Sequence, residues 1–321
     1  MSVTPRKRVP PRKIAFQQVK LRRHYFAPRY WGTWIVLLLL AAISLLPLPL
    51  SRLIGAALGW LMYLGNIKRR RIAQVNLRLC FPDKTERQRA RLLRRHYVVF
   101  GQSVTDLGHL AWNSRSRLRR MTRFVGIELY REYVERGDNI ILLVPHCVGM
   151  NFGGAVLSEK HPTFGMYKPQ GDPVLTWFLN FSRMRFGAQM FTRAQGLRPV
   201  VRVLKEGSVF YYLPDKDYGP KNSVFVPFFG LPMATLPTLG RLARLGNAIV
   251  VPCFARVLPW GRGIEVILYP PLEHFPSDDE IKNAARMNRA LEEGIRTMPE
   301  QYSWTFKIFK TRPGNGPSPY G

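Results

Sequence analysis

Acid is scarce in this chain. Only 20 Asp and Glu stand against 49 Lys and Arg in 321 residues, a formal net charge of +29. That imbalance argues against a near-neutral cytosolic enzyme and favours an anionic partner: nucleic acid, a membrane surface, or an acidic substrate or carrier. Cysteine is scarcer still. Cys80, Cys147 and Cys253 have no Cys-x-x-Cys spacing and no histidine cluster beside them, which excludes a disulfide framework or a zinc site and suits a cytosolic setting. The flanks of Cys147 are apolar, which raises a thiol pKa and counts against it as a nucleophile. Internal repeats are absent.

Charge is also missing locally, in two informative places. Residues 1–30 are basic and contain no acid at all, and tyrosines and Trp31 close the segment. From Trp31 to Leu50 there is no charge of either sign. About 20 apolar residues are enough to span a bilayer as one helix, with Trp31 and Trp34 at headgroup level and the basic run on the cytoplasmic side. Pro47 and Pro49 shorten that helix from its far end. No small-residue cleavage site follows, which argues against a removable signal peptide. A second apolar stretch, Leu53 to Ile67, ends at Lys68-Arg69-Arg70-Arg71 and reads as an interfacial helix with its cations towards anionic headgroups. The expected organisation is a basic segment (1–30), a membrane anchor with an interfacial helix (31–67), a catalytic body (68–312) and a flexible tail (313–321).

Within the body, residues 72–125 read as helical, including a long basic amphipathic helix from Thr85 to about Trp112, capped by Thr85 with Gln88. His96 and His109 lie on it as core or surface histidines. From residue 126 the pattern alternates. Strands are expected at 139–144, 163–167, 188–192, 208–213, 222–229, 248–255 and 263–269. Helices are expected at 128–136, 151–158, 173–186, 196–206, 235–245 and 278–297. This predicts an α/β fold with a largely parallel or mixed central sheet flanked by helices, behind an N-terminal membrane-anchoring helix.

Candidate chemistry gathers at the predicted strand ends, where open α/β sheets place their sites. His146 follows the apolar strand directly. Five positions on, where an acid would complete a dyad, the chain has Asn151; Gly153-Gly154 then allows a tight turn or close approach to a ligand. Phe191-Thr192-Arg193 puts a cation after another strand, and Lys168 follows a third. Leu213-Pro214-Asp215-Lys216-Asp217-Tyr218-Gly219 puts acids and a tyrosine after a fourth.

Taken together, Arg70-Arg71-Ile72-Ala73-Gln74-Val75-Asn76-Leu77, Val144-Pro145-His146, the Leu213–Gly219 block, Ser223-Val224-Phe225-Val226-Pro227-Phe228-Phe229-Gly230, Pro299-Glu300-Gln301-Tyr302 and Lys310-Thr311-Arg312-Pro313 resemble the late (secondary) acyltransferases of lipid A biosynthesis, in the lysophospholipid acyltransferase superfamily. The resemblance runs from the anchor to residue 313. It implies a glycerolipid acyltransferase-like fold at the bacterial inner membrane, with one N-terminal anchor and the catalytic domain on the cytoplasmic face. It implies transfer of a fatty acyl chain from acyl carrier protein, or less often coenzyme A, to a hydroxyl on a lipid A precursor, with no metal or redox cofactor. His146 would be the general base and Asn151 would occupy the position of its acidic partner. Arg193, Asp215, Tyr218 and Lys168 would bind substrate, Arg193 through a phosphate; Lys216 and Asp217 read equally well as solvated turn residues.

The family has Asp or Glu where this chain has Asn151. Three explanations stay open: a natural weak variant, a substitute acid such as Asp215, or a substitution introduced to trap substrate. A nucleic-acid binder would carry its basic residues among aromatics on one folded platform, whereas these runs flank apolar helices. A non-catalytic membrane protein of the same fold, and an acyltransferase for another glycolipid or phospholipid, are the remaining alternatives.

Overall fold

The computed structural model describes residues 20–321, so most of the basic N-terminal segment lies outside the described residues. Helices come first: α1 (Trp31–Leu45), α2 (Leu48–Gly65), α3 (Ile67–Cys80), α4 (Glu86–Trp112) and the short α5 (Arg115–Arg120). Strands and helices then alternate: β1 (Thr122–Val125), α6 (Ile127–Glu135), β2 (Asn139–Leu143), α7 (Met150–Ser158), β3 (Thr163–Tyr167), α8 (Pro173–Met184), β4 (Gln189–Thr192), α9 (Arg198–Lys205) and β5 (Val209–Tyr212). The chain ends with β6 (Val224–Phe228), β7 (Leu231–Thr235), α10 (Thr238–Gly246), β8 (Ala248–Val257), β9 (Ile264–Leu268) and α11 (Glu280–Thr297).

Seven strands form one mixed sheet in the order β1-β9-β8-β2-β5-β3-β4, antiparallel only between β8 and β9. The central strand β2 explains the apolar run that first drew notice. Ile140 and Leu142 pack into the core on one face, Ile141 and Leu143 into the core on the other, so no position along it tolerates a polar side chain.

Two strands escaped the sequence reading. β1 lies in the stretch expected to be helical, at the sheet edge, where Arg123 reaches Glu265 of β9 at 3.4 Å. The expected strand 222–229 is the first arm of a hairpin whose return arm, β7, contains Pro232 and lacks clean alternation. Its two-residue turn places both Phe229 (φ 51) and Gly230 (φ 76) in the left-handed region. Phenylalanine is an unusual choice there. The turn is held by Glu292, whose carboxylate accepts from the Phe229 amide at 2.6 Å, and by Arg296 stacked 4.7 Å over the ring.

The apolar N-terminal stretch breaks into two helices because Pro47 donates no hydrogen bond and forces Leu46 into extended backbone (ψ 155). Both are long and apolar enough to cross a membrane. Both also pack on α4, and closely: a β-carbon on Gly59 would stand 2.1 Å from the Tyr97 carbonyl oxygen, and one on Gly101 would stand 2.1 Å from that of Gly55. A buried ion pair, Arg52 to Asp106 at 2.6 Å, ties α2 to α4. At one end of α1 the Thr33 hydroxyl donates to Asp172, and at the other Arg117 donates to the Leu46 carbonyl, so α1 lies along the body rather than away from it. Its outer face, with Ile35, Leu38 and Leu39, and that of α2, with Leu53, Leu61 and Leu64, are exposed.

The last residues, read as a flexible tail, fold back. The Tyr320 hydroxyl donates to Asn76 at 2.6 Å and accepts from the Phe309 amide at 3.0 Å, which gives the tail a buried polar anchor.

Candidate active site

The sheet register builds the site. In the parallel β2–β5 pair Leu143 lies beside Tyr212. His146 and Asp215 each follow three residues later, so neighbouring strands deliver them to the same edge. The carboxylate grips its partner twice: Oδ1 accepts from the imidazole Nδ1 at 2.5 Å and Oδ2 accepts from the His146 amide at 2.7 Å. Both residues are buried. Burial alone would raise the Asp215 carboxyl, but the His146 charge and these hydrogen bonds outweigh it and hold the group below its ordinary range. With Nδ1 committed to the carboxylate, Nε2 is the nitrogen left to exchange a proton with a substrate.

A loop from the far end of the chain frames the imidazole. The amide of Ser303 donates to the His146 carbonyl at 3.0 Å, the amide of Val148 donates to the Gln301 carbonyl at 2.8 Å, and the Phe306 ring meets the imidazole edge-on at 5.4 Å. Asn76 fixes this loop by donating to the carbonyls of Trp304 and Phe306 at 2.6 and 2.7 Å. The motif residues around Asn76 and Gln301 therefore act as scaffolding for the histidine.

Asn151 is not the partner of this histidine. It sits in the first turn of α7, and its Oδ1 accepts from Nε and Nη2 of Arg183 at 3.0 and 2.8 Å. Five residues of sequence carry the chain around a turn into the next helix, so the side chain meets α8. Burial pulls the Arg183 guanidinium down to about 10, leaving it charged at neutral pH opposite a neutral amide. Sequence reasoning missed Arg183; a cation inside the apolar run of helix 173–186 was the available signal. Gly153 and Gly154 serve neither a turn nor a ligand. They lie within α7, where a β-carbon on Gly153 would stand 2.8 Å from that of Ala255 and one on Gly154 would stand 3.3 Å from the Tyr211 ring.

The remaining candidates share the sheet edge. Lys168 and Arg193 follow the paired residues Tyr167 and Thr192 at the ends of β3 and β4, and both are exposed. Arg193 donates to the Tyr218 hydroxyl at 2.7 Å and stacks 4.9 Å over its ring. Lys216 is not simply solvated, since its ammonium sits 4.1 Å over Phe306, and burial lowers its pKa against the opposing pull of Asp215. Asp217 is structural: it accepts from the Thr311 amide and hydroxyl at 2.7 and 2.8 Å and fastens the C-terminal segment. Cys147 is buried and its thiol is pushed up to about 12 by desolvation, which makes it inert. Among the described residues no group of three or more His, Cys, Asp or Glu could hold a metal ion.

A family profile described as bacterial lipid A biosynthesis acyltransferase matches residues 18–311. The chain belongs to that family. It is therefore an acyltransferase, and its relatives agree. It is 35% identical over 290 residues to a lipid A biosynthesis acyltransferase of Haemophilus influenzae, with 90% of each chain covered. It is 34% identical to the lipid A biosynthesis lauroyltransferase of Escherichia coli, covering 91% of this chain and 96% of that one. With the lipid A biosynthesis myristoyltransferase of the same organism the identity is 33% and the coverage 91% of each. A solved 1-acyl-sn-glycerophosphate acyltransferase, PlsC from Thermotoga maritima, matches 78% of this acyltransferase and 97% of its own chain, with 13% identity and a TM-score of 0.36, too distant to bear on the site.

Proposed function

We propose that this acyltransferase moves a fatty acyl chain from a thioester on acyl carrier protein, or from coenzyme A, to a hydroxyl of a lipid A precursor at the cytoplasmic face of the bacterial inner membrane. The observation that carries the reading is the His146–Asp215 pair, at 2.5 Å and at the open edge of the sheet. Nε2 of His146 takes the proton from the acceptor hydroxyl as its oxygen attacks the thioester carbon. The tetrahedral intermediate collapses by breaking the carbon–sulfur bond, and the imidazolium returns the proton to the departing thiolate, leaving an ester and a free thiol. Asp215 holds the imidazole in the productive tautomer and stabilises its charged form. The acid is thus supplied by Asp215, and Asn151 supports the structure next to it.

Arg193, Lys168 and Tyr218 line the approach and bind phosphate on the acceptor or the carrier, a task for which a guanidinium fork suits. The excess of cations favours both the acidic carrier and a phosphorylated acceptor. The exposed apolar faces of α1 and α2 enter the bilayer side-on, since α1 is held to the body at both ends.

The test is a reaction of the purified protein with an acyl carrier protein thioester and a lipid A precursor, the product being weighed by mass spectrometry. A mass gain of one acyl group supports the reading. Transfer to a lysophospholipid and none to the lipid A precursor would overturn it.

A further inference from the structure

Trp260 takes no part in the site, yet it is 91% exposed, in the turn between β8 and β9, with a left-handed backbone (φ 59). The turn is wedged in place. A β-carbon on Gly261 would stand 3.1 Å from Pro49, near the start of α2, and one on Gly263 would stand 2.1 Å from the carbonyl oxygen of Met121, which closes α5. Met121 also accepts from the Ile264 amide at 2.7 Å. Arg117 of α5 donates in turn to Leu46 in the elbow between α1 and α2. The elbow, the Trp260 turn and α5 are therefore one continuous end of the molecule. Its tip is apolar, with Leu45 76% and Leu53 68% exposed. Its flank is cationic: Arg115, Arg120 and Arg262 are exposed, and none pairs with a carboxylate among the described residues.

This end adjoins the catalytic edge. β8 runs parallel to β2 as far as the Leu143–Pro252 pair, then continues five residues in the same direction. That carries it about 16 Å beyond the pair before the turn. Gln301 bridges the two: its side chain accepts from the Val257 amide at 3.0 Å and donates to the Val257 carbonyl at 3.1 Å, while its own carbonyl holds the amide of Val148.

We infer that Trp260, the α1–α2 elbow and the α5 arginines form a second membrane contact, which seats the catalytic edge on an anionic bilayer surface. The indole lies at headgroup level, the elbow leucines lie below it, and the arginines meet lipid phosphates. A second copy of the chain fits this face poorly, because a two-fold contact would set unpaired arginines against their own copies. The inference rests on the proposal that the α1–α2 faces enter the bilayer, and the experiment separates the two.

Trp260→Cys and, in a second protein, Leu61→Cys on the outer face of α2 each take an environment-sensitive fluorophore; Cys80, Cys147 and Cys253 are buried and do not compete. Each full-length protein is reconstituted into phosphatidylethanolamine vesicles with or without phosphatidylglycerol, carrying a quencher on the upper acyl chain. Both labels are expected to shift to the blue and be quenched. The label at 260 alone should lose most of its quenching when phosphatidylglycerol is omitted, or when Arg115→Gln and Arg120→Gln are added. Quenching at 61 with a water-like, unquenched signal at 260 overturns the second contact and leaves the hairpin reading standing. No quenching at either position overturns both. A blue shift at 260 that lipid-borne quenchers leave untouched assigns the face to a protein and overturns the lipid assignment.

Discussion

Asn151→Asp separates two accounts of the site. The present Asn151 Oδ1 accepts two hydrogen bonds from Arg183, a desolvated cation facing an uncharged amide. A carboxylate keeps both bonds and adds the missing charge. Leaving one member of a buried ion pair uncompensated costs about 3–5 kcal/mol, part of which is offset here by the cost of burying the new carboxylate. A net gain of about 1–3 kcal/mol is expected, which raises the melting temperature by roughly 2–4 °C per kcal/mol in a protein approaching this size. Acyl transfer should change by less than about tenfold, because restoring a charge-relay acid acts on the order of 10⁴-fold and Asp215 already fills that role. The assays are thermal unfolding in detergent and the initial rate of transfer. A rate increase of about a hundred-fold or more, approaching that charge-relay scale, would refute the reasoning and make position 151 the true partner of His146.

Other consequences concern stability. Burial lowers His96 to about 4, so the folded state keeps it neutral while the unfolded chain takes up a proton below its ordinary value near 6.5. The stability it contributes is present above pH 6.5 and is lost as the pH falls towards 4, by on the order of 3 kcal/mol. Urea unfolding at pH 7 and pH 5 should therefore show a steep loss that His96→Gln flattens; an unchanged slope would count against it. Arg52→Met leaves Asp106 buried without its cation and should cost about 3–5 kcal/mol. Adding Asp106→Leu should recover most of that loss, and a double variant no more stable than the single one would show that the charge is not the cause.

Local pattern revealed much of this molecule, and long-range pairing revealed the rest. The capping pair Thr85 and Gln88 forms as expected because each bond spans three residues. The strand Ile140–Leu143 declares itself through apolar side chains alone, since both of its faces are covered. The partnership of His146 with Asp215 spans 69 residues and follows from β2 lying beside β5, a neighbour relation that no local pattern encodes. The sequence offered Asp215 only as one of several acids, and the expected dyad at position 151 was a matter of spacing. Spacing misleads there because α7 begins at Met150 and turns Asn151 towards α8. Likewise β7 was illegible because its identity depends on the Phe229–Gly230 turn, and that turn depends on Glu292 in a helix far along the chain.

The most direct test of the central claim is the initial rate of acyl transfer by Asp215→Asn beside the parent protein, with acceptor binding measured in parallel. Asparagine keeps the shape but loses the charge and can offer its amide to Nδ1, favouring the wrong tautomer. The account predicts a fall of about 10³–10⁴-fold in turnover with acceptor affinity unchanged. A variant that retains more than roughly a tenth of the parent rate, when loss of a relay acid should remove nearly all of it, would contradict it.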